Sequence, residues 1–358
     1  MYLRTLHLQN FRKFSSQQID FNVTTTLLSG KNGSGKTSVL EAVYLLGSGE
    51  SFRAGKVDEM IGFNQEISRV QAELVDQDQD EIRVEVLLTR GEVQGKKTAK
   101  RLYSVNEVKK RKKDAIGKIN AVIFRPEDMR LVEGSPARRR QFLDMALSLM
   151  VKGYASSLST YDQALLKRNR LILQVREGEM PKAVLSFWTA QLIKHGSILQ
   201  IARQQFLHDF SSVEFPVSFK AQYLESLINQ DRMDQYADRE IAAGHTLIGP
   251  HKDDFIVNFQ DPDLQQESFD IAIFGSRGQQ RLAVLWLKIC ELNLLEKTTG
   301  QKAILLLDDI FSELDQDGRD QVLSLINGRQ TIITTADKKM RLELEDKLHH
   351  YQLIEIEV

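Results

Sequence analysis

An eight-residue run near the start of the chain restricts its possible folds more than any other feature. Residues 30–37 read GKNGSGKT, which places glycines, a lysine and a threonine at the spacing of a phosphate loop. An extended run, Thr24–Ser29, precedes it, and apolar residues recur at helical spacing from Val39 to Leu46. A strand, a glycine-rich loop and a helix form the context in which such a loop binds nucleotides. A glycine turn that only caps an ordinary helix is the alternative.

In a phosphate loop, backbone N–H groups and the positive end of the next helix bind the β-phosphate. The lysine reaches the β- and γ-phosphates, and the threonine hydroxyl binds Mg²⁺. The sequence therefore predicts a site for ATP and Mg²⁺. The predicted nucleotide-binding residues of this segment are Gly30, Lys31, Asn32, Gly33, Ser34, Gly35, Lys36, Thr37 and Ser38, with Thr37 also on the metal ion.

A phosphate loop needs a carboxylate on a second strand, and residues 304–309, ILLLDD, supply one. The apolar run predicts a buried strand that presents Asp308 at its carboxyl end, where it would hold Mg²⁺ through water. Asp309 follows and can polarise the attacking water as the catalytic base. The alternative is a strand end at which two carboxylates are merely solvated.

A second candidate phosphate site lies in the SRGQQR segment, where Ser276, Gly278 and Gln279 directly precede an apolar helical pattern. Serine and glycine at a helix start favour an anion. Because the chain already has a phosphate loop, this site makes sense if it serves the nucleotide of another copy. We therefore predict an ATP-dependent homodimer, with Ser312 and Asp315 at the same interface. An ordinary capped helix is the alternative.

Hydrophobic periodicity divides the chain into three segments. Residues 1–120 and 248–358 have β/α patterns, whereas 121–247 is dominated by helical spacing. We expect an α/β fold in which a head of mixed β-sheets and helices is interrupted by a helical lobe. At about 1.5 Å per residue, the helices of this lobe are too short for long coiled-coil arms.

One strand of the first segment can be assigned from its alternation alone. Apolar and polar residues alternate from Ile82 to Leu88, which predicts a half-buried antiparallel strand. The runs Ile67–Val75 and Arg101–Val105 are its expected hairpin partners.

The composition excludes several classes of protein. The 358 residues are 42% hydrophobic and carry a net charge of −1, so any nucleic-acid contact must come from a local basic patch. The single cysteine excludes an internal disulfide framework, and no apolar run reaches the roughly 20 residues of a membrane helix. Because no secretory signal is recognisable either, we expect a soluble cytoplasmic protein without a membrane partner. The seven histidines show no metal-ligand spacing, which leaves a nuclease site unsupported.

The combined motifs resemble those of ATP-binding-cassette ATPases and, over nearly the whole chain, those of the RecF family. Residues 8–12 (LQNFR) resemble its amino-terminal strand and turn, and 47–53 (GSGESFR) the segment after the phosphate-loop helix. Residues 138–144 (RRRQFLD) and 249–254 (GPHKDD) resemble the entry to and the return from its second lobe. The resemblance implies an ATP-binding-cassette-type head.

The resemblance also implies roles that spacing does not give. Asn10 and Arg12 would approach the nucleotide. ATP would drive homodimerisation on DNA at single-strand/double-strand junctions, in recombinational repair, replication-gap repair and the SOS response. RecR would be a partner, loading of RecA the outcome, and the bound protein would be nucleoid-associated. Slow hydrolysis would release the dimer, so the resemblance implies a weak ATPase that acts as a switch and is neither nuclease nor helicase.

Two rival functions are a transporter subunit and a DNA motor. A transporter ATPase carries a histidine after the last core strand, whereas this chain has Thr334–Asp337 (TTAD) there, which disfavours a transporter subunit. A DNA motor is disfavoured by the lack of helicase motifs. Within the family pattern, Lys252 stands where arginine is usual. His251, Asp253 and Asp254 could act at the nucleotide or the interface, or could make structural hydrogen bonds.

Two basic clusters are candidates for DNA contact. Lys96–Lys113 holds nine basic residues against one acidic residue, which favours non-specific, salt-dependent phosphate binding. A solvated loop is the alternative. Arg138–Arg140 lies near a helix start, where cations are unfavourable and need a phosphate, DNA or carboxylate partner. The predicted DNA-binding residues are Lys109, Lys110, Arg111, Lys112 and Lys113.

Overall fold

The computed structural model describes residues 1–76, 78–260, 268–348 and 350–357. Packing divides the chain into two compact units. The first, here the head unit, consists of Met1–Asp128 and Leu295–Val358, and the second, the helical unit, consists of Met129–Leu294.

The described residues form sixteen strands and eleven α-helices. The strands are β1 (Tyr2–Phe11), β2 (Phe14–Asp20), β3 (Thr25–Ser29), β4 (Ile67–Val75), β5 (Glu81–Thr89), β6 (Glu92–Val93), β7 (Lys96–Lys97), β8 (Arg101–Val105), β9 (Val108–Lys110), β10 (Ala121–Phe124), β11 (Phe219–Leu224), β12 (Asp254–Gln260), β13 (Ser268–Asp270), β14 (Ile304–Asp308), β15 (Thr331–Thr335) and β16 (Tyr351–Glu355). The helices are α1 (Lys36–Ser48), α2 (Lys112–Ala115), α3 (Arg130–Glu133), α4 (Pro136–Met150), α5 (Tyr154–Arg176), α6 (Ser186–Asp209), α7 (Gln230–Ala243), α8 (Ile271–Phe274), α9 (Arg277–Thr299), α10 (Gln316–Ile326) and α11 (Lys338–Lys347).

A five-stranded parallel sheet lies at the centre of the head unit, in the order β10-β14-β15-β3-β16. Strands β3, β14 and β15 consist mainly of apolar residues and threonine and are buried almost throughout, as expected for strands covered on both faces. Because all strands run in one direction, the carboxyl ends of β14, β15 and β3 meet at the same edge. The phosphate-loop segment starts from that edge.

The second sheet of the head unit has the order β2-β1-β4-β5-β8-β9 and is antiparallel. Strand β5 lies between β4 and β8, so its predicted position and both predicted partners are confirmed. Val84, Val86 and Leu88 are buried while the residues between them are more exposed, which matches the alternation in the sequence.

The helical unit packs α4, α5, α6 and part of α9 against a three-stranded sheet, β11-β12-β13. The rings of Phe210 and Phe219 lie against Trp286, with their centroids 5.5 Å and 5.6 Å, respectively, from the centroid of the Trp286 ring. Helices α4, α5 and α6 lie in the stretch for which the sequence predicts helical spacing. The longest helix, α6, has 24 residues, or about 36 Å, so the described residues contain no extended coiled coil and the predicted compact lobe is confirmed.

Two elements of this unit were not among those predicted from the sequence. Helix α7 is mostly polar and fully buries only Met233 and Glu240, so few apolar residues mark it. Strand β11 pairs with β12 over its full length, from Phe219 opposite Phe259 to Leu224 opposite Asp254. That pairing joins residues far apart in the chain, which local alternation cannot predict.

Packing places two stretches differently from the sequence-based segments. Residues 121–128 lie in the head unit because β10 pairs with β14. Residues 248–294 lie in the helical unit because β12 pairs with β11 and α9 contributes to its core. The division into a head, 1–120 and 248–358, and an inserted helical lobe, 121–247, remains a prediction.

A buried ionic cluster holds the helical unit together. Arg203 on α6 donates to Asp253 (3.1 Å), to Asp144 on α4 (2.8 Å) and to the carbonyl oxygen of Pro250 (2.8 Å). Asp253 is fully buried and also accepts from Gln200, at 3.0 Å. A buried charge is tolerated only when it is paired and hydrogen-bonded, so this cluster fixes the segment 250–253 against α4 and α6.

Arg203→Met should remove the cation and leave the carboxylate of Asp253 buried without its ionic partner. We expect the free energy of unfolding of the helical unit to fall by about 3–5 kcal/mol. Urea denaturation followed by tryptophan fluorescence measures this directly, because Trp188 and Trp286 both belong to the helical unit.

Lys182→Met is the matched control, because it removes the exposed ion pair between Lys182 and Asp238. Exposed pairs contribute little to stability, and this variant should unfold at the wild-type urea concentration. Equal behaviour of the two variants would contradict a structural role for the buried cluster.

Candidate functional site

The phosphate-loop segment connects β3 to α1, and Gly35 is the N-cap of α1. Gly35 has a left-handed φ of 105°, and a Cβ there would lie 2.5 Å from the Phe14 ring. Only glycine fits both conditions. The loop therefore turns back at the N-terminus of a 13-residue helix, where free N–H groups and the helix dipole favour an anion.

Two ammonium groups lie on this loop. Lys36 Nζ donates to the carbonyl oxygens of Gly30 (2.7 Å) and Lys31 (3.0 Å), and Lys13 Nζ donates to that of Gly33. Desolvation lowers the pKa of Lys36, although the nearby acidic side chains oppose this shift. The positive charge of both groups favours phosphate at the loop.

Asp308, at the carboxyl end of β14, joins three elements. Its Oδ1 accepts hydrogen bonds from Thr37 Oγ1 on α1 (2.9 Å) and Thr334 Oγ1 on β15 (2.8 Å). Burial raises the pKa of Asp308, and the two hydroxyl donors partly oppose the shift. The structure thus brings together the predicted partners Thr37 and Asp308. Thr334, which sequence analysis did not select for this position, completes the group.

The donor set of this group fits Mg²⁺. A threonine hydroxyl and a carboxylate are the hard oxygen ligands that this ion takes, and Mg²⁺ commonly completes its shell with phosphate oxygens and water. Thr37 and Asp308 are the residues that would hold it. When bound, the ion would neutralise charge on the phosphate oxygens.

Asp309 follows directly and has a left-handed backbone, with φ of 51°. Its N–H donates to Thr334 Oγ1 at 3.1 Å, and its Oδ1 accepts from Ser312 Oγ at 3.3 Å. Burial raises the pKa of Asp309, while Ser312 and Lys36 oppose the shift. Asp309 lines the same cleft as the phosphate loop, which is the position that a general base would need.

Asn10 and Arg12 lie at the end of β1, but their side chains bind protein groups. Asn10 Nδ2 donates to the carbonyl oxygen of Ile67 at 3.3 Å. Arg12 makes a bidentate ion pair with Glu41 on α1, at 2.6 and 2.8 Å. The side chain of Glu41 is fully buried and also accepts from Ser51 Oγ.

Glu41 is a structural residue that the sequence analysis missed. A signal for it was present, because a carboxylate in the buried apolar run 39–46 requires a buried partner. Arg12 ties the end of β1 to Glu41 on the phosphate-loop helix, and Ser51 ties the segment after α1 to the same carboxylate. Arg12 nevertheless also lines the cleft described next.

These residues border an open cleft of about 530 Å³ within the head unit. Its polar lining includes the phosphate-loop residues Asn32, Gly33, Lys36 and Thr37 together with Asp308, Asp309 and Thr334. Two apolar side chains, Ile61 and Phe63, and the charged side chains of Arg12, Lys13, Arg53 and Glu59 also line it. A cleft of this size is suited to a small organic ligand with one anionic end.

The SRGQQR segment forms the start of α9 in the helical unit. Ser276 N donates to Gln279 Oε1 (2.9 Å), and Gln279 N donates to Ser276 Oγ (3.3 Å). This is a reciprocal capping box, so the capped helix considered as an alternative is present. Around Gly278 there is open space, since the nearest atom to a built Cβ is 4.0 Å away. The exposed helix start retains N–H groups for an anion, and its role in a second copy remains a prediction.

The two predicted interface residues follow β14. Ser312 is exposed and donates to Asp309, as described above. Asp315 is exposed and caps α10, with its Oδ1 accepting from Gly318 N at 2.9 Å. Both therefore have local structural roles while facing solvent in this chain.

The predicted DNA-binding residues occupy β9, an edge strand of the antiparallel sheet, and the start of α2. Lys112 forms an ion pair with Glu50, which reduces its availability for phosphate. The other four, Lys109, Lys110, Arg111 and Lys113, are exposed and make no ion pair with any described residue. The basic segment is thus a surface feature at a sheet edge.

The RRRQFLD and GPHKDD motifs meet inside the helical unit. Arg139 forms a bidentate ion pair with Asp254, at 2.6 and 2.9 Å, and Arg140 donates to the carbonyl oxygen of Asp253 at 2.8 Å. Of the partners considered for this arginine cluster, the structure provides a carboxylate. His251 contacts the Tyr161 hydroxyl at 2.8 Å. Of the roles considered for the histidine and its acidic neighbours, the structure provides structural hydrogen bonds.

Among the helices of the described residues, none is both long enough and apolar enough to cross a bilayer.

Comparison with known proteins gives consistent matches over the whole chain. The sequence profile of the RecF/RecN/SMC N-terminal domain matches residues 2–354. The DNA replication and repair protein RecF of Thermoanaerobacter sp. is 31% identical over 362 residues, covering 95% of each chain. RecF of Lachnoclostridium phytofermentans is 33% identical over 350 residues, covering 93% of this chain and 92% of the relative.

Solved structures of RecF proteins are also similar to this chain over most of its length. The recombination mediator protein RecF-ATPrS in the RecFOR pathway has a TM-score of 0.85 at 27% identity, covering 99% of this chain and 96% of that one. The corresponding RecF-ATP structure has a TM-score of 0.82 at 28% identity, covering 94% and 92%. An SMC head bound to the C-winged helix domain of ScpA has a TM-score of 0.51 at 15% identity, covering 96% and 91%, and is similar in fold alone.

His251 should make the stability of the helical unit depend on pH. Burial lowers its pKa from 6.5 to about 4, so on acidification the unfolded chain takes up a proton before the folded one. The stabilising contribution is therefore complete above pH 6.5 and is lost as the pH falls towards 4. Between pH 7 and 5, wild type should lose about 2 kcal/mol more unfolding free energy than His251→Gln.

Urea denaturation at both pH values measures this difference, in which carboxylates common to both proteins cancel. His245→Gln, at an exposed histidine of the same unit, should retain the wild-type pH dependence. Identical pH dependence in wild type and His251→Gln would show that His251 does not contribute.

Proposed function

The chain belongs to the RecF/RecN/SMC N-terminal domain family and, within it, to the RecF proteins, and from this premise we propose that it is an ATP-controlled DNA clamp. The clamp acts in recombinational repair and replication-gap repair. The observation that carries the proposal is the group of Lys36, Thr37 and Asp308, which gathers a phosphate loop and an oxygen site for Mg²⁺ at one sheet edge. This geometry and the family membership support ATP binding.

Closure of the clamp requires a second copy. In the proposed dimer, the phosphate loop of one copy and the segment Ser276–Gln279 of the other bind the same γ-phosphate. Ser312 and Asp315, both exposed, belong to the same interface. ATP promotes closure only if it binds the dimer more tightly than the monomer, and a γ-phosphate bound from two sides provides that difference.

Hydrolysis opens the clamp. Asp309 acts as the base that accepts a proton from the attacking water, a role supported by its raised pKa and its place in the cleft that the phosphate loop also lines. Asp308 and Thr37 would hold the metal ion, and Lys36 stabilises charge on the phosphates. Turnover is slow because the γ-phosphate holds the dimer together, so the enzyme acts as a switch.

DNA binding is proposed for the basic edge strand. The exposed residues Lys109, Lys110, Arg111 and Lys113 present positive charge without specific hydrogen-bond geometry, which suits contacts to phosphates rather than to bases. The preferred substrate is a single-strand/double-strand junction, where the dimer assists RecA loading together with RecR. These partners follow from family membership.

Lys36→Met should abolish ATP-dependent dimerisation, because it removes a charge that binds the nucleotide. Ser276→Arg should leave ATP binding intact and still prevent dimerisation, because a large cation would block the site meant for the partner's γ-phosphate. Light scattering with and without ATP·Mg²⁺ and gapped duplex measures the mass, and equilibrium titration measures nucleotide affinity.

The matched control is Ser211→Arg, an identical change at an exposed serine of the same unit, which should dimerise normally. If Lys36→Met still forms dimers at the ATP concentration at which wild type does, the model in which two copies bind one γ-phosphate is refuted. Loss of nucleotide affinity in monomeric Ser276→Arg would refute the role of this serine in a second copy.

Replacing Lys109, Lys110, Arg111 and Lys113 with serine should weaken DNA binding and reduce its salt dependence. Each lost phosphate contact lowers the slope of log affinity against log salt by about 1. Fluorescence anisotropy with a labelled gapped duplex over a salt series provides both quantities.

A control with the same change of net charge replaces four exposed lysines elsewhere with serine: Lys152, Lys220, Lys338 and Lys339. This control should keep most of the wild-type slope. If the two variants behave alike, β9 and α2 are not the DNA-binding surface.

A further inference from the structure

Phe63 is the most exposed large hydrophobic side chain of the described residues, with 88% of its surface accessible. It follows Ile61 and Gly62 in a short turn that leads into β4. A ring this exposed leaves most of its apolar surface free to contact a ligand, and such contact would remove that surface from water. Phe63 lines the cleft that also contains the phosphate loop.

The backbone that carries Phe63 is well anchored within the head unit. Gly62 N donates to the carbonyl oxygen of Asn10 (2.7 Å), and Gln65 N closes the turn on that of Gly62 (3.1 Å). Arg90 Nε donates to the carbonyl oxygen of Gln65 at 2.8 Å. The ring is therefore presented from a turn fixed on both sides, which limits the entropy lost when a ligand contacts it.

The lining of the cleft combines two kinds of chemistry. Lys36 and the N-terminus of α1 make one part of it suitable for phosphate, whereas Ile61 and Phe63 contribute apolar surface. A nucleotide has the same division, with an anionic chain at one end and a flat apolar base at the other. Aromatic side chains stack on bases, and they do so with little dependence on base identity.

We propose that Phe63 stacks on the base of the bound nucleotide. This contact supplies much of the nucleotide affinity that does not come from contacts to the phosphates. The inference rests on the proposed ATP site and adds to it a defined position for the base. Because stacking uses the face of the base, the contribution should be similar for ATP and GTP.

The test compares Phe63→Ala and Phe63→Tyr with wild type by isothermal titration calorimetry, at protein concentrations where the chain is monomeric. Phe63→Ala should bind ATP and GTP about tenfold more weakly, whereas Phe63→Tyr, which retains the ring, should bind as wild type does. Inorganic tripolyphosphate with Mg²⁺ should bind all three proteins equally. Leu342→Ala, at an exposed apolar residue of the same unit, should have no effect.

An unchanged ATP affinity in Phe63→Ala would overturn the proposal, and so would equal losses for ATP and tripolyphosphate. Loss of dimerisation with unchanged affinity in the monomer would assign Phe63 to the interface instead. Phe63→Trp provides a second readout that needs no truncation, since stacking should quench its fluorescence on ATP addition but not on tripolyphosphate addition. These measurements use the monomer, so they remain valid even if the Ser276→Arg experiment contradicts the proposed dimer.

Discussion

Asp308 is the point on which the candidate site depends. One carboxylate oxygen accepts hydrogen bonds from Thr37 and Thr334, residues 271 and 26 positions away in the chain. These bonds connect the phosphate-loop helix α1 and the neighbouring strand β15 to β14, the strand that carries the acid. A buried carboxylate must be satisfied in this way or lose its charge, so the need to stabilise Asp308 also positions the groups around it.

Buried charge organises the helical unit in a similar way. Asp253, together with Arg203 and Gln200, joins a turn to α6, and Asp254 joins β12 to α4 through Arg139. Motifs that could be read as parts of a binding site are thus parts of a scaffold. The scaffold matters for function because α9, whose start carries the proposed phosphate site at Ser276, packs into the same core.

The cleft of the head unit combines two kinds of lining. The parallel sheet supplies the phosphate-loop side chains and carboxylates, where strand ends and a helix N-terminus concentrate polar groups. The antiparallel sheet and its connections supply Ile61 and Phe63. The Arg12–Glu41 ion pair helps to fix one part against the other, so a residue expected near the nucleotide also supports the loop that binds it.

The sequence alone determined the phosphate loop, the acidic strand, the central strand of the antiparallel sheet, the short helices and the family. Each structural element in this list depends on chemistry within a few neighbouring residues, such as the glycine spacing of the loop or alternation along a strand, and the family follows from several such motifs together. The tertiary structure decided that Thr334 binds Asp308, that Glu41 pairs with Arg12 and that Phe63 lines the cleft. It also placed β11 beside β12. These features depend on which distant segments of the chain contact each other, and the local sequence pattern does not specify those contacts.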